Sequence, residues 1–328
     1  MRDERKLLGI LGVLVAVAMV TALFSPSFVS AYNIENLLRR SALFGIIGIG
    51  ASLVIITGGI DLSIGSLICL VGCLTPWLIT VVGVTPWLVV PALLILATAL
   101  GTCHGMLVTR LKLQPFLVTL CGLFIYRGLT RGILADNTVG FGTEGSALRS
   151  LGNGRIHLPG IDGFALPSPL VILIVIAVIC WLLLNRTVWG RHLKAIGCNE
   201  TAARHCGIAV DRVKVGAYAL CGLLTGIGGL LFVLDTGSAQ PSNFGNFYEL
   251  YAIAAAVLGG CSLRGGEGSI IGVLIGATLV QVLRNAIVLI DGIPHSSEFA
   301  IIGGIILIAV IADEAIRRFT TTTKSLKE

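Results

Sequence analysis

The sequence predicts an all-α, polytopic transmembrane bundle of about ten spans, several of them interrupted by glycine. Three observations predict it. Of 328 residues, 55% are apolar and only 12% are charged, against roughly 25% charged in a soluble domain; a water-soluble globule of this length could not cover its surface. Mean hydropathy is +0.95, and the apolar residues fall in runs that match the roughly 20 helical residues needed to cross a ~30 Å hydrocarbon core. Between the runs, Lys and Arg gather in a few clusters, the pattern of loops on the cytoplasmic side of a membrane. The net charge of +6 therefore points to those loops and away from nucleic acid.

Taken in order, the apolar runs lie at about 7–24, 42–57, 64–82, 86–109, 114–130, 167–184, 215–235, 249–262, 269–290 and 297–312. The first follows Arg2, Arg5 and Lys6 and ends near Val29-Ser30-Ala31, which has the grammar of a cleavable signal. Its length exceeds a usual signal core and further spans follow at once, so it reads as an uncleaved first helix. Before the second run, Asn33 to Arg40 reads as an amphipathic interfacial helix whose Arg39 and Arg40 snorkel to headgroups. Alternating from a cytoplasmic N-terminus places Arg110, Lys112, Arg186, Arg191, Lys194, Arg204, Arg212, Lys214, Arg264, Arg317 and Arg318 inside, and leaves the outside connections 83–85, 236–248 and 291–296 without Lys or Arg. Both termini are thereby expected in the cytoplasm.

The chain is expected to form a single transmembrane domain over 1–328 with two larger connections. The outside segment at about 131–166 is polar, rich in Gly and Pro, and reads as an irregular cap over the outer mouth. The inside segment at about 185–214 is basic, and Asn199 to Gly207 consists of good helix formers between Gly197 and Gly207, as expected of a short helix on the cytoplasmic surface.

Catalysis is largely eliminated. No Gly-Lys dipeptide occurs, so no G-x-x-x-x-G-K-[ST] phosphate loop exists, and G-x-S-x-G and H-E-x-x-H are absent as well. Any ATP chemistry belongs to a partner. The nine cysteines and five histidines lack metal-type spacing, so no metal is expected. His104, within an apolar span, reads as a hydrogen-bonded interior residue.

The informative feature is a break at Thr57-Gly58-Gly59-Ile60-Asp61-Leu62-Ser63-Ile64-Gly65-Ser66. An Asp at mid-membrane costs about 2.5–3.5 kcal/mol on insertion scales, and broken helices occur only where freed backbone groups are buried in protein or line a cavity. Gly58, Gly59, Asp61, Ser63, Gly65 and Ser66 are therefore candidates for a hinge or a translocation path, with Asp61 read as a cap for the next span. A second break runs through Gly259, Gly260, Gly265 and Gly266, with Arg264 and Glu267 close enough to pair. An ion-coupled secondary transporter and a membrane-embedded enzyme are the competing classes; the former is expected to carry paired ionisable groups at mid-membrane, and the spans offer little beyond Asp61, His104 and Arg284.

With these residues in view, the chain resembles the membrane permease of bacterial ABC importers of the ribose type, which share a wider family with branched-chain amino-acid permeases. The resemblance is carried by Gly59-Ile60-Asp61-Leu62-Ser63-Ile64-Gly65-Ser66, by Gly197-Cys198-Asn199-Glu200-Thr201-Ala202-Ala203-Arg204 with Gly207-Ile208, by Ser238-Ala239-Gln240-Pro241, and by Ala254-Ala255 leading into Gly259-Gly260 and Gly265-Gly266. These run in the family's order from about Asn33 to Asp313. Two departures stand out: Tyr251 follows Tyr248-Glu249-Leu250 where the family has Asp, and Arg264 and Glu267 stand where it has a small residue and Lys. The resemblance implies a homodimeric permease, in some members heterodimeric, of the bacterial cytoplasmic membrane, two ATPase subunits beneath it and a periplasmic sugar-binding protein above it, with ATP bound by the ATPase and no cofactor on this chain. It also implies that Gly197, Asn199, Glu200, Ala202, Ala203, Arg204 and Gly207 form the helix that docks on the ATPase, and that the solute is a ribose-like monosaccharide.

Overall fold

The computed structural model describes residues 2–142, 146–157, 164–290, 294–305, 307–308 and 311. Twelve helices carry the fold: α1 (Arg2–Phe24), α2 (Ala31–Ile56), α3 (Ile64–Thr80), α4 (Pro86–Arg110), α5 (Pro115–Leu134), α6 (Ser146–Asn153), α7 (Ser168–Arg186), α8 (Val188–Cys198), α9 (Glu200–His205), α10 (Val210–Thr236), α11 (Tyr248–Leu258) and α12 (Ile270–Leu289). A further helical stretch at 298–305 lies in the last expected span, whose remaining residues fall largely outside those described. Among the described residues, seven helices are long and apolar enough to cross a membrane, namely α1 from Leu7, α2, α4, α5, α7, α10 and α12, while α3 and α11 are shorter apolar helices.

Local chemistry sets the starts. Proline at the head of α4, α5 and α7 occupies the first turn, where a missing N–H costs nothing. The side chains of Ser30 and Ser269 accept from Asn33 N and Gly272 N to cap α2 and α12. Apolar side chains on α1, α4, α5 and α7, among them Leu23, Ile95, Phe124 and Ile179, are exposed, as lipid-facing surfaces require.

The core is built around α2, which packs against α7, α10, α11 and α12. The most extensive crossing joins α4 to α10, and it is close: a β-carbon on Gly101 would overlap the Tyr218 carbonyl, and one on Gly222 the Ala97 carbonyl. Small residues let the two backbones touch, which is how helices associate when lipid removes the hydrophobic drive.

Two expectations are corrected. Asn33–Arg40 is no separate interfacial helix; it is the first part of continuous α2. Arg39 and Arg40 do not reach for headgroups but approach the buried Asp235 carboxylate of α10 at 3.7 and 3.8 Å, because an opposite charge inside the protein holds them better than the interface. The segment at about 131–166 is also less irregular than expected. It contains α6, a hairpin of β2 (Arg155–His157) with β3 (Ala165–Pro167), and β1 (Val139–Gly140), which pairs with β4 (Ser238–Ala239) beyond α10. Buried Glu35 of α2 ties the hairpin down, accepting from Ala165 N at 3.0 Å and pairing with Arg155 at 3.1 Å.

Candidate functional site

The first break opens with a helix stop. Gly58 takes φ +80°, its N–H bonds to Ile55 O at 2.8 Å, and Gly59 N bonds to Val54 O at 3.2 Å, the Schellman pattern that only a residue tolerant of positive φ can complete. The chain then runs without regular secondary structure to Ser63, the cap residue of α3. Asp61 is 5% exposed, and its Oδ1 accepts from Ser63 N at 2.8 Å and from Ser63 Oγ at 2.6 Å. It does not cap α3 directly: Ser63 occupies the cap position without a side-chain bond to the helix, and Asp61 fixes Ser63 in place instead. Ser66 Oγ donates back to Ser63 O at 2.8 Å.

Around this carboxylate the fold gathers polar groups from three other helices. His104 of α4 bonds Tyr126 of α5 through Nε2 at 2.8 Å and reaches Ser63 Oγ through Nδ1 at 3.5 Å. Cys221 of α10 points its thiol at Asp61 Oδ2, 3.7 Å away. Thr119 of α5 donates to Ile60 O at 3.3 Å, and Gly122 is required beneath His104, since a β-carbon there would come within 2.6 Å of Nε2. His104 is thus the hydrogen-bonded interior residue its setting suggested. Tyr126, Cys221 and Thr119 were not singled out by the sequence, because they lie far apart in it and no local spacing connects them.

From the other side, the segment 240–247 folds inward against α3. Arg127 of α5 holds it by donating to Pro241 O at 3.0 Å and Phe244 O at 2.6 Å, and Cys69 donates to Pro241 O at 3.4 Å. Gly65 lies where a β-carbon would collide with Glu249 Oε2 and with the Gly245 carbonyl. Glu249, 8% exposed, therefore brings its carboxylate to the first turn of α3, where the orphan N–H groups and helix dipole favour an anion. Two interrupted helices, α3 and α11, start from this one buried place.

The second break repeats the first stop. Gly260 has φ +87°, with Gly260 N on Val257 O and Cys261 N on Ala256 O, both at 2.9 Å; Gly259 is the cap of α11. Gly265 and Gly266, at φ +88° and +82°, form a tight turn whose Gly266 N–H donates to the last carbonyl of α2, Ile56 O, at 2.9 Å. Here the two breaks meet the connection between α7 and α10. A β-carbon on Gly197 would overlap Ile56 O and Gly266 N. Gly197 sits inside α8 with no positive φ, so a helical glycine, worth about 0.5–1 kcal/mol less than alanine, is required there by space alone.

Beyond it, Asn199 caps α9 by accepting from Ala202 N at 2.9 Å, and Gly207, φ +79°, closes it with Ile208 N on Ala203 O at 3.1 Å. Glu200, Ala202 and Arg204 are exposed. Ala203 is 5% exposed and seats α9 on its own protein, so only its neighbours present a surface. Arg204 pairs with Glu200 at 3.3 Å and Asp211 at 2.8 Å, and Lys214 of α10 pairs with Glu200. Partial burial works against ionisation of Glu200, but Lys214 and then Arg204 outweigh it and hold the carboxyl below the usual glutamate range. Among the described residues no group of His, Cys, Asp or Glu is arranged to hold a metal ion.

A multi-pass helical bundle with interrupted helices meeting at a buried polar centre defines a membrane transport permease. Residues 33–310 match the family described as branched-chain amino acid transport system / permease component, and the chain belongs to that family. It is 41% identical to the ribose import permease protein of Bacillus subtilis over 94% of this chain and 92% of the relative. Identity is 36% to the ribose import permease protein of Haemophilus influenzae, over 92% and 90%. It is 31% to the xylose transport system permease protein of Escherichia coli K12, over 89% and 87%. Each of these relatives is named as a permease of an import or transport system. No solved structure matches the chain.

Proposed function

We propose that this chain is the membrane-spanning permease subunit of an ATP-driven ABC importer that passes a ribose-like monosaccharide across the bacterial cytoplasmic membrane. The observation that carries the reading is the 41% identity to a ribose import permease maintained over 94% of the chain. In this reading two copies of the permease enclose the path, ATPase subunits bind and hydrolyse ATP below, and a periplasmic binding protein delivers the sugar above. The chain itself binds no cofactor. Both termini face the cytoplasm, which puts α8 and α9 on the ATPase side, with the exposed Glu200, Ala202 and Arg204 offered to the ATPase.

The buried centre suits an uncharged polyol. Ser63, His104 and Tyr126 supply donors and acceptors beside Asp61, and the charges at the centre are already engaged, Asp61 by Ser63, Arg127 by the Pro241 and Phe244 carbonyls and Glu249 at the first turn of α3, so a passing sugar meets exchangeable hydrogen bonds. Selectivity then rests mainly with the binding protein, and the permease contributes a path that opens when ATP binding moves its cytoplasmic side. The test is uptake of labelled ribose and xylose by proteoliposomes holding the permease, its copurified ATPase and its binding protein. ATP-dependent accumulation of either sugar is expected; accumulation driven by a sodium or proton gradient without ATP would replace this reading with an ion-coupled one.

A further inference from the structure

The place where α8 ends is joined to both helix breaks by backbone alone. Gly266 N–H is hydrogen-bonded to Ile56 O at 2.9 Å. A β-carbon on Gly265 would lie 2.9 Å from Gly197 Cα, from Gly197 O and from Gly58 N. A β-carbon on Gly266 would lie 2.6 Å from the Cys198 sulfur, and one on Gly197 would overlap Ile56 O. Three segments thus touch at one point: the end of α8, the turn that ends α2 and starts the path to Asp61, and the turn that connects α11 to α12. Contacts between long side chains absorb a displacement by changing rotamer, whereas close-packed backbone has no such freedom and passes strain on. On either side the connections stay short. Asp61 lies three residues beyond Gly58, and a β-carbon on Gly272 of α12 would overlap the Gly259 carbonyl at the end of α11.

We infer that the Gly197–Ile56–Gly265–Gly266 contact is a rigid transmission joint, with Gly197 as its positioning residue: a shift of α8 and α9 imposed from the cytoplasmic face moves both helix breaks together. The inference rests on the importer reading and adds where its two halves are mechanically joined. The resemblance counts Gly197 with the docking helix, but the side on which a β-carbon would grow faces Ile56 O and Gly266 N, and in this reading the exposed Glu200, Ala202 and Arg204 carry the docking surface, so replacing Gly197 is expected to leave docking intact and to change what docking achieves.

The experiment uses the complete importer in proteoliposomes and compares wild type, Gly197→Ala and, as a helical control, Gly132→Ala, whose added β-carbon meets nothing within 4 Å. Gly197→Ala should copurify with ATPase as wild type does and continue to hydrolyse ATP, while sugar transported per ATP falls about tenfold, within the ordinary range of coupling between two sites. Gly132→Ala should match wild type on all three measures. A second measurement needs no variant. Cys198 is exposed with its sulfur against Gly266, so its alkylation by N-ethylmaleimide, followed by peptide mass spectrometry, should change rate when the importer is trapped with ATP and vanadate. Unchanged transport per ATP in Gly197→Ala, loss of ATPase copurification by a Gly197→Ala permease that itself folds and inserts as wild type does, or identical Cys198 alkylation in the free and trapped importer would each overturn the joint. If Gly197→Ala does not assemble, the Cys198 measurement decides. Failure of wild type itself to copurify with an ATPase would overturn the importer reading instead.

Discussion

Replacing Asp61 tests whether the first break is held by its acceptor or by its charge. Two buried donors from Ser63 converge on Oδ1, at 2.8 and 2.6 Å. A buried donor left without an acceptor costs ~1–3 kcal/mol, and the Ser63 hydroxyl can recover part of its loss by turning to His104 Nδ1, 3.5 Å away. Asp61→Leu should therefore destabilise the break by about 2–4 kcal/mol, which shifts the balance between intact and opened forms about thirtyfold to a thousandfold. Asp61→Asn keeps an oxygen at Oδ1 and gives up only the charge assistance, a loss of about 1 kcal/mol. Its amide nitrogen would replace Oδ2 beside the Cys221 sulfur, 3.7 Å away, which accepts weakly. The assay pairs thermal unfolding of the solubilised permease, followed by a thiol-reactive fluorophore at the buried Cys69, Cys73, Cys221 and Cys261, with sugar uptake by cells. The expected order in both is wild type, then Asn, then Leu, with most transport retained by Asn. Equal behaviour of Asn and Leu refutes the acceptor role, and equal near-normal behaviour removes any role for the acid.

Gly122→Ala would place a β-carbon 2.6 Å from His104 Nε2 and displace the Tyr126 bond, so its unfolding midpoint should fall below that of Gly128→Ala, where nothing lies within 4 Å. Combined Glu200→Ala and Arg204→Ala should weaken ATPase copurification where single changes are nearly silent, because an exposed ionic contact contributes only ~0.2–1 kcal/mol. The Glu200 carboxyl is held below its ordinary range, so its tether to Lys214 and Arg204 is fully present above the unfolded glutamate value of about 4.3 and is lost as pH falls through the folded value; copurification should be flat with pH across the neutral range. Purified without other subunits, the permease should hydrolyse no ATP, and activity in a preparation shown free of ATPase would refute the reading drawn from the missing phosphate loop.

What the sequence disclosed was local. Gly58, Gly260 and Gly207 each end a helix by the same positive-φ stop, and each stands where the helix-forming pattern before it runs out. Asn199 was legible as the start of a short surface helix because good helix formers follow it as far as Gly207. The partners of Asp61 were not, since His104, Tyr126 and Cys221 arrive on three different helices and their spacing along the chain carries no trace of their meeting. Arg39 and Arg40 misled because their immediate neighbourhood is amphipathic; the charge that receives them belongs to Asp235 on α10. Glu249 likewise gave no sign that it faces the first turn of α3, and Gly65 acquires its reason only from that approach.

The burial of α2 bears on how the protein is made. Its 26 residues extend about 39 Å, and 89% of its most apolar window is enclosed by other helices. Most of those helices, α7, α10, α11 and α12, are synthesised later than α2 itself. Until α10 emerges, Arg39 and Arg40 sit at the membrane without Asp235, and a span whose small and polar surfaces are shaped for protein must wait among lipids or in the insertion machinery. A chain that ends before residue 235 lacks the counter-ion of Arg39 and Arg40, while one that includes all of α10 holds both that counter-ion and one wall of the packing around α2. The second helix to be inserted is among the last to be settled.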